Sequence, residues 1–165
     1  MKTIHLQYYI LITLFSLFFS SSYAQISKAE IRATGLTCSM CSNAINKQLK
    51  SMPEVSAVTT DLNTNTFTVV LKAGNTLTPS AFKEKVEQAG FFIGSLVLTV
   101  STESISQKPY IQVKPIAKNN KQVQIKVLDK GYVTEKEFKK VGKTYQNLPS
   151  LQKLNESDFH IIALN

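Results

Sequence analysis

The order of hydrophobic patterns in residues 27–98 constrains the fold more than any other feature of the chain. Apolar residues at helical spacing predict a helix at about 42–52, ended by Pro53, and a second helix that begins at Pro79 and ends at Gly90. Alternating apolar residues predict four strands, at about 28–34, 55–62, 66–72 and 92–100. The resulting β-α-β-β-α-β order predicts an α+β, ferredoxin-like fold, in which a four-stranded antiparallel sheet carries both helices on one face.

A second folded region is expected beyond the first one, with residues 25–100 as one domain, 101–108 as a polar, serine-rich linker and 109–165 as the second region. Its patterns predict the order strand-strand-helix-strand, which is a small α+β fold, with strands at about 110–116, 122–128 and 159–164. The helix is expected to open with a capping box at Thr134 and to end near Tyr145.

The second region carries no chemical signature that the sequence makes visible. It has no cysteine, and its one histidine, His160, lies in an apolar run and is expected to be a packed strand residue. Asp158 is expected to cap or turn the chain, and no acid–base pair is evident from the spacing. The sequence therefore predicts no function for residues 109–165.

The N-terminus has the pattern of a secretory signal peptide. A cationic start precedes an apolar run that is purest from Ile10 to Phe19, and small residues lead to a cleavage site before Gln25. The run is shorter than the roughly 20 residues that span a bilayer. We therefore predict that residues 1–24 are removed, that the mature chain has no transmembrane span, and that the protein is exported to the periplasm or secreted.

The net charge is positive, with 19 Lys and Arg against 11 Asp and Glu. Most of the excess lies in residues 99–165, which hold eleven lysines and six acidic residues. In an intracellular protein this balance would suggest nucleic acid, but the predicted export argues against that class of partner. Acidic partners, an anionic envelope surface and a solvated lysine face are the alternatives that the charge leaves open.

The chain's only two cysteines, Cys38 and Cys41, lie between the first predicted strand and the first predicted helix. Two thiolates at this spacing can bind one soft metal ion, close a disulfide, or exchange with other thiols. A structural disulfide is a weak explanation, because it would close a very short loop and would remove little entropy from the unfolded chain. Cys41 would lie near the helix N-terminus, where the helix dipole favours a thiolate.

The segment Gly35-Leu36-Thr37-Cys38-Ser39-Met40-Cys41 resembles the Gly-Met-Thr-Cys-x-x-Cys signature of the heavy-metal-associated domain. That family includes copper metallochaperones, the N-terminal domains of metal-exporting P-type ATPases and the periplasmic mercuric-ion-binding protein. The resemblance covers about residues 27–98 and extends to Ala89-Gly90-Phe91, before the last strand. It implies a non-enzymatic protein in which Cys38 and Cys41 hold the metal and pass it on by ligand exchange.

Three apolar residues near the cysteines are assigned by the same resemblance. Leu36 replaces the usual methionine of the signature, and it is expected to keep that residue's buried packing role under the loop. Phe91 is expected to pack beneath the site, as an aromatic residue does in some members of the family. Met40 is expected to point outward rather than to act as a thioether ligand.

The expected cargo is Cu(I), with Hg(II) or Zn(II) as alternatives. Two thiolates without a nearby histidine cannot complete four-coordinate zinc from the chain's own side chains, whereas they suit a soft two-coordinate ion. The resemblance implies a metal donor or acceptor protein as partner, for example a metal-transporting ATPase or an efflux component. We expect a monomer, with a metal-bridged dimer as the alternative state.

Two other functions stay open at this point. An exported Cys-x-x-Cys pair is also typical of thiol–disulfide oxidoreductases, although those proteins usually carry the motif in a longer α/β chain. Alternatively, the metal domain is vestigial and the basic half, residues 105–165, docks to a partner.

Overall fold

The computed structural model describes residues 26–36, 39–116, 120–146, 148–152 and 158–164. The predicted signal peptide, residues 1–24, lies outside these ranges. In chain order, the helices are α1 Ser39–Lys50, α2 Pro79–Gln88 and α3 Glu135–Thr144. The strands are β1 Ile26–Thr34, β2 Val55–Asp61, β3 Thr66–Leu71, β4 Phe92–Ser101, β5 Tyr110–Gln112, β6 Gln122–Val127 and β7 Phe159–Leu164. Both predicted orders, β-α-β-β-α-β and then strand-strand-helix-strand, are confirmed.

All seven strands belong to one sheet, in the spatial order β2-β3-β1-β4-β6-β7-β5. The first four follow the expected antiparallel arrangement, with β1 between β3 and β4. β6 continues the sheet by pairing antiparallel with β4, and β7 pairs with β6. β5, at the far edge, pairs parallel with β7. One sheet therefore runs through both halves of the chain.

Helices α1 and α2 cover one face of β1–β4 because each presents an apolar stripe to the sheet. Ile45 and Leu49 of α1 and Phe82 and Val86 of α2 are fully buried there. On that face the helices pack against β1 and β4, in which alternate residues, such as Ile31, are buried. This apolar cluster also takes in residues from the second half: Tyr110, Ile125, Val127, Tyr132, Phe159 and Ile161.

The segment predicted as a linker packs on the sheet. Residues Ser104–Ser106 form a short 3-10 turn, and Ile105 within it is 1% exposed. The side chain of Thr102 donates a hydrogen bond to the backbone carbonyl of Asn120. Whether residues 25–100 and 109–165 fold independently stays a prediction, although they share a sheet and an apolar cluster.

Helix α3 lies on the opposite face of the sheet from α1 and α2. Ile125 of β6 is buried in the first cluster, so Lys126 points to the other face, and its Nζ lies 2.5 Å from Oε1 of Glu137 in α3. A second, smaller apolar cluster forms beneath α3 around Leu128, Val141 and Leu151. Phe138, Val141 and Tyr145 all belong to this cluster.

The predicted helix caps are partly confirmed. Thr134 is the N-cap of α3, and its side-chain oxygen accepts a hydrogen bond from the backbone N–H of Glu137, as a capping box requires. Thr78 is the N-cap residue of α2, which begins at Pro79 as predicted, but its hydroxyl pairs with that of Ser80 at 2.6 Å and does not cap the helix.

Most predicted boundaries agree with the structure to within about one or two residues, and two differ by more. Helix α1 begins at Ser39 rather than at Ser42, so its first turn lies inside the cysteine motif. β5 ends at Gln112 rather than at Ile116; the rest of the predicted strand contains Pro115, which has no N–H to donate to a ladder.

Within the described ranges, the structure contains no helix that is both long and apolar enough to span a membrane.

Candidate metal centre

The cysteine motif occupies the turn between β1 and α1. β1 ends at Thr34, whose hydroxyl donates to the backbone carbonyl of Phe92 at 3.3 Å, so the start of the turn is held against the start of β4. Gly35 then takes a positive φ of 85°, a conformation that L side chains rarely adopt. The chain can therefore leave the strand sharply and enter α1 within four residues.

Cys41 is the third residue of α1 and is half-buried. The first turn of a helix carries backbone N–H groups without intrahelical partners, and these favour a negative charge. Cys38 lies outside the described residues. Its approach to Cys41, and hence the two-thiolate site, stays a prediction.

Leu36 and Phe91 lie at the two sides of the turn, after β1 and before β4. Both are half-buried and pack against the main apolar cluster. A Cβ added to Gly35 would lie 4.0 Å from Cδ1 of Phe91, so the ring lies close to the loop where it leaves β1. Their predicted influence on a bound metal is not tested by this packing.

Two large apolar side chains are exposed at this end of the sheet. Met40, between the two cysteines, is 79% exposed, in agreement with its expected outward direction. Phe92 is 68% exposed and lies opposite Thr34 in the β1–β4 register, next to the start of the loop. Neither side chain is used by the core, so both are accessible to a protein that approaches the loop.

Helix α1 carries no acidic residue, and its two lysines, Lys47 and Lys50, lie in the last turn. Its orientation is fixed by packing and by a hydrogen bond from Asn46 Nδ2 to Thr60 Oγ1 of β2 at 2.8 Å. No cluster of three or more His, Cys, Asp or Glu side chains suited to a metal ion occurs in the part of the chain that the structure describes.

The second half contains a polar constellation that the sequence reading missed. His160 is 2% exposed and is a packed strand residue, as expected. The expectation that no acid–base pair involves it is wrong, because its Nδ1 lies 2.7 Å from Oδ1 of Asp129. Its Nε2 lies 2.9 Å from Oγ of Ser150. Asp129 and His160 are 31 residues apart, a separation that gives no local signal in the sequence.

Comparison with known proteins confirms the resemblance. Residues 30–92 match the family model of the heavy-metal-associated domain, so this part of the chain is a domain of that kind. No curated protein matches the chain.

Among solved structures, the yeast copper transporter domain Ccc2a, described in apo and Cu(I)-loaded states, is 34% identical over 39% of this chain and 88% of its own, with a TM-score of 0.36. A copper-binding domain from HMA7, a P-type ATPase, is 32% identical over 39% of this chain and 86% of its own, with a TM-score of 0.36. The CopZ metallochaperone is 19% identical over 41% of this chain and 98% of its own, with a TM-score of 0.37. At these TM-scores the likenesses add no argument to the family match.

Proposed function

We propose that this chain is an exported carrier that binds Cu(I) as cargo through Cys38 and Cys41 and passes it to a partner protein. The observation that carries the proposal is the heavy-metal-associated domain at residues 30–92, with Cys41 in the first turn of α1. Soft thiolates select soft ions, and the helix N-terminus stabilises a thiolate at that position.

The position of the site suits hand-over by ligand exchange. Two thiolates leave the ion under-coordinated, so an incoming thiolate of a partner can become a third ligand before one of the original two leaves. The exposed side chains of Met40 and Phe92 border the loop and allow a partner to approach it. We propose a metal-transporting ATPase or an efflux component as that partner, with the carrier itself a monomer.

The decisive experiment is native mass spectrometry of the reduced mature protein with Cu(I), Hg(II) and Zn(II) in competition. We expect one Cu(I) per chain, and we expect both Cys38→Ser and Cys41→Ser to abolish its retention. Met40→Leu is the matched control inside the same loop, and it should bind as the unmodified chain does, because Met40 points outward. Retention of Cu(I) by the double serine variant would refute the proposal, and preferential retention of Hg(II) would favour the mercuric-ion-binding alternative.

We further propose that Phe91 positions the loop for metal binding, because its ring lies close to the backbone at Gly35. Groups that orient metal ligands without touching the metal typically change affinity about 10- to 100-fold when removed. Phe91→Ala should therefore lower Cu(I) affinity about tenfold in a competition titration with a chromophoric chelator. The neighbouring Phe92→Ala removes an aromatic ring of the same size from an exposed position, and it should leave the affinity unchanged. Equal losses in both variants would contradict a positioning role.

The oxidoreductase alternative uses the same pair of cysteines, and one assay distinguishes it from the carrier proposal. If the chain catalyses the reduction of insulin by dithiothreitol, and Cys38→Ser abolishes that catalysis, the carrier proposal gives way to thiol–disulfide exchange. We expect no catalysis above the uncatalysed rate.

A further inference from the structure

We propose that Ser150, His160 and Asp129 form a second chemical site, in which the hydroxyl of Ser150 is a nucleophile toward activated esters. The site lies in the second half of the chain, beside the cluster under α3, and it uses neither cysteine. The inference is therefore independent of the metal proposal.

The three side chains come from three separate segments. Asp129 follows β6, His160 is the second residue of β7, and Ser150 lies in the short 3-10 turn Pro149–Gln152. The Oδ1 of Asp129 contacts Nδ1 of His160 at 2.7 Å, and its Oδ2 accepts the backbone N–H of His160 at 2.7 Å. The carboxylate thus holds both the ring and the backbone of one residue. Nε2 on the far side of the ring meets Oγ of Ser150 at 2.9 Å.

The proposed chemistry requires one arrangement of protons in these hydrogen bonds, with Asp129 ionised and His160 neutral. An ionised carboxylate can only accept, so Nδ1 of His160 carries the hydrogen that it donates to Asp129. In the neutral imidazole Nε2 then has a lone pair, and the hydroxyl of Ser150 must be the donor. Burial raises the pKa of Asp129, and the hydrogen bonds from His160 limit that rise. This is the tautomer that a general base needs in order to take a proton from serine.

The burial of the three groups differs in the way that a nucleophile and its base require. His160 is 2% exposed, and the side chain of Asp129 is 14% exposed. Ser150 is exposed to solvent. The base and the carboxylate are therefore shielded from water, which strengthens their interaction, while the hydroxyl can be reached by a substrate.

The reaction transfers an acyl group from an ester to the serine. Oγ of Ser150 attacks the ester carbonyl carbon, and its proton moves to Nε2 of His160. The bond between the carbonyl carbon and the alkoxy oxygen breaks, and the alcohol leaves with the proton from Nε2. The products are the acylated Ser150 and the free alcohol, and no oxidant or reductant is required.

The test is covalent labelling of the mature chain with diisopropyl fluorophosphate, followed by peptide mapping. In this reaction the Oγ–P bond forms, the P–F bond breaks, the serine proton moves to Nε2 of His160 and fluoride leaves. A positioned general base typically contributes a factor of about 10² to 10⁴. We therefore expect one label per chain, on Ser150, at a rate at least about 100-fold above that of a synthetic peptide of residues 145–152, which lacks the imidazole.

Variants of the chain separate nucleophilic activation from a merely structural contact. Ser150→Ala should abolish the labelling. Asp129→Asn should lower its rate about 100-fold, because an amide can donate to Nδ1 and so favours the tautomer with hydrogen on Nε2. Ser56→Ala is the matched control, since the hydroxyl of Ser56 is also exposed but donates to the backbone carbonyl of Val70 at 3.0 Å. It should leave the labelling unchanged.

Labelling of Ser150 at the rate of the free peptide would overturn the proposal, as would labels spread over several serines. If circular dichroism shows that Asp129→Asn does not fold, the comparison between the unmodified chain and the peptide decides the question without that variant.

Discussion

Gly94 lies in β4, next to the end of β1 and to Thr134 of the second half. Its replacement by alanine should destabilise the protein. In the β1–β4 register Arg32 is opposite Ser95 and Ala33 is opposite Ile93, so Gly94 is the extra residue of a β-bulge. A Cβ at this position would overlap the methyl group of Thr34, and it would lie 3.5 Å from the carbonyl oxygen of Arg32 and 3.6 Å from Cγ2 of Thr134. The methyl group of Thr34 is held on a β-branched side chain, so it cannot move aside without a rotamer or backbone shift.

Forcing one extra carbon into a packed site typically costs about 1–3 kcal/mol. For a chain of this size, 1 kcal/mol lowers Tm by roughly 2–4 °C, so Gly94→Ala should lower Tm by about 2–12 °C. Differential scanning calorimetry of the metal-free mature protein measures this directly. Because Thr34 precedes Gly35 in the loop, the variant should also bind Cu(I) more weakly.

Gly142→Ala is the matched control for this substitution. Gly142 lies within α3, and a Cβ there would meet nothing within 4 Å among the described residues. Alanine is favoured over glycine in a helix by about 0.5–1 kcal/mol, so this variant should raise Tm slightly. A Gly94→Ala protein with an unchanged or higher Tm would refute the steric argument, because it would mean that β4 and Thr34 adapt without cost.

Two further substitutions test buried polar groups in the second half. The phenol oxygen of Tyr110 is buried without a hydrogen-bond partner among the described residues, and burial raises the pKa of that phenol. Tyr110→Phe should therefore leave Tm at pH 7 unchanged or raise it. The folded state favours the neutral phenol, whereas the unfolded chain ionises near pH 10. The native protein thus loses about 1.4 kcal/mol of stability per pH unit above that value, and urea unfolding at pH 9 and 11 should show that the variant does not share this loss. Asp129→Ala should lower the free energy of unfolding by about 2–3 kcal/mol in urea titrations, because two donors of the buried His160 lose their acceptor. An unchanged urea midpoint for Asp129→Ala would mean that these bonds add nothing to stability.

The elements were predictable from sequence where a local pattern decides them. The apolar stripe of α1, with Ile45 and Leu49 four residues apart, specifies a helix and its buried face, and the capping box at Thr134 specifies where α3 begins. Cys41 could be singled out because its motif is short and contiguous. The start of α1 was misplaced because Ser39 is polar and Met40, although apolar, is exposed and lies off the buried stripe, so neither residue extends the periodic signal.

Contacts between distant segments could not be predicted in this way. The pairing of β6 with β4 and the parallel pairing of β5 with β7 leave no periodic signal in either strand. The contact of Asp129 with His160 depends on those pairings, because it forms only when β7 is placed beside the end of β6. The sequence pattern therefore indicates a second folded region, but it gives neither its place on the sheet nor the polar site within it.

The shared sheet predicts that the two halves of the mature chain unfold together. β4 hydrogen-bonds to β1 on one side and to β6 on the other, and the main apolar cluster contains residues from both halves. The sequence supplies a separate probe for each half: residues 25–165 have no tryptophan and only the tyrosines at 110, 132 and 145, whereas both cysteines lie before residue 42. In urea, tyrosine fluorescence and the reactivity of the thiols toward a chromogenic reagent should therefore give the same midpoint. Because Cys41 belongs to helix α1, the thiol measurement should follow Cys41 in a Cys38→Ser background. Two midpoints would show that residues 25–100 and 109–165 are independent folding units joined by a linker, whatever hydrogen bonds β4 and β6 make in the native state.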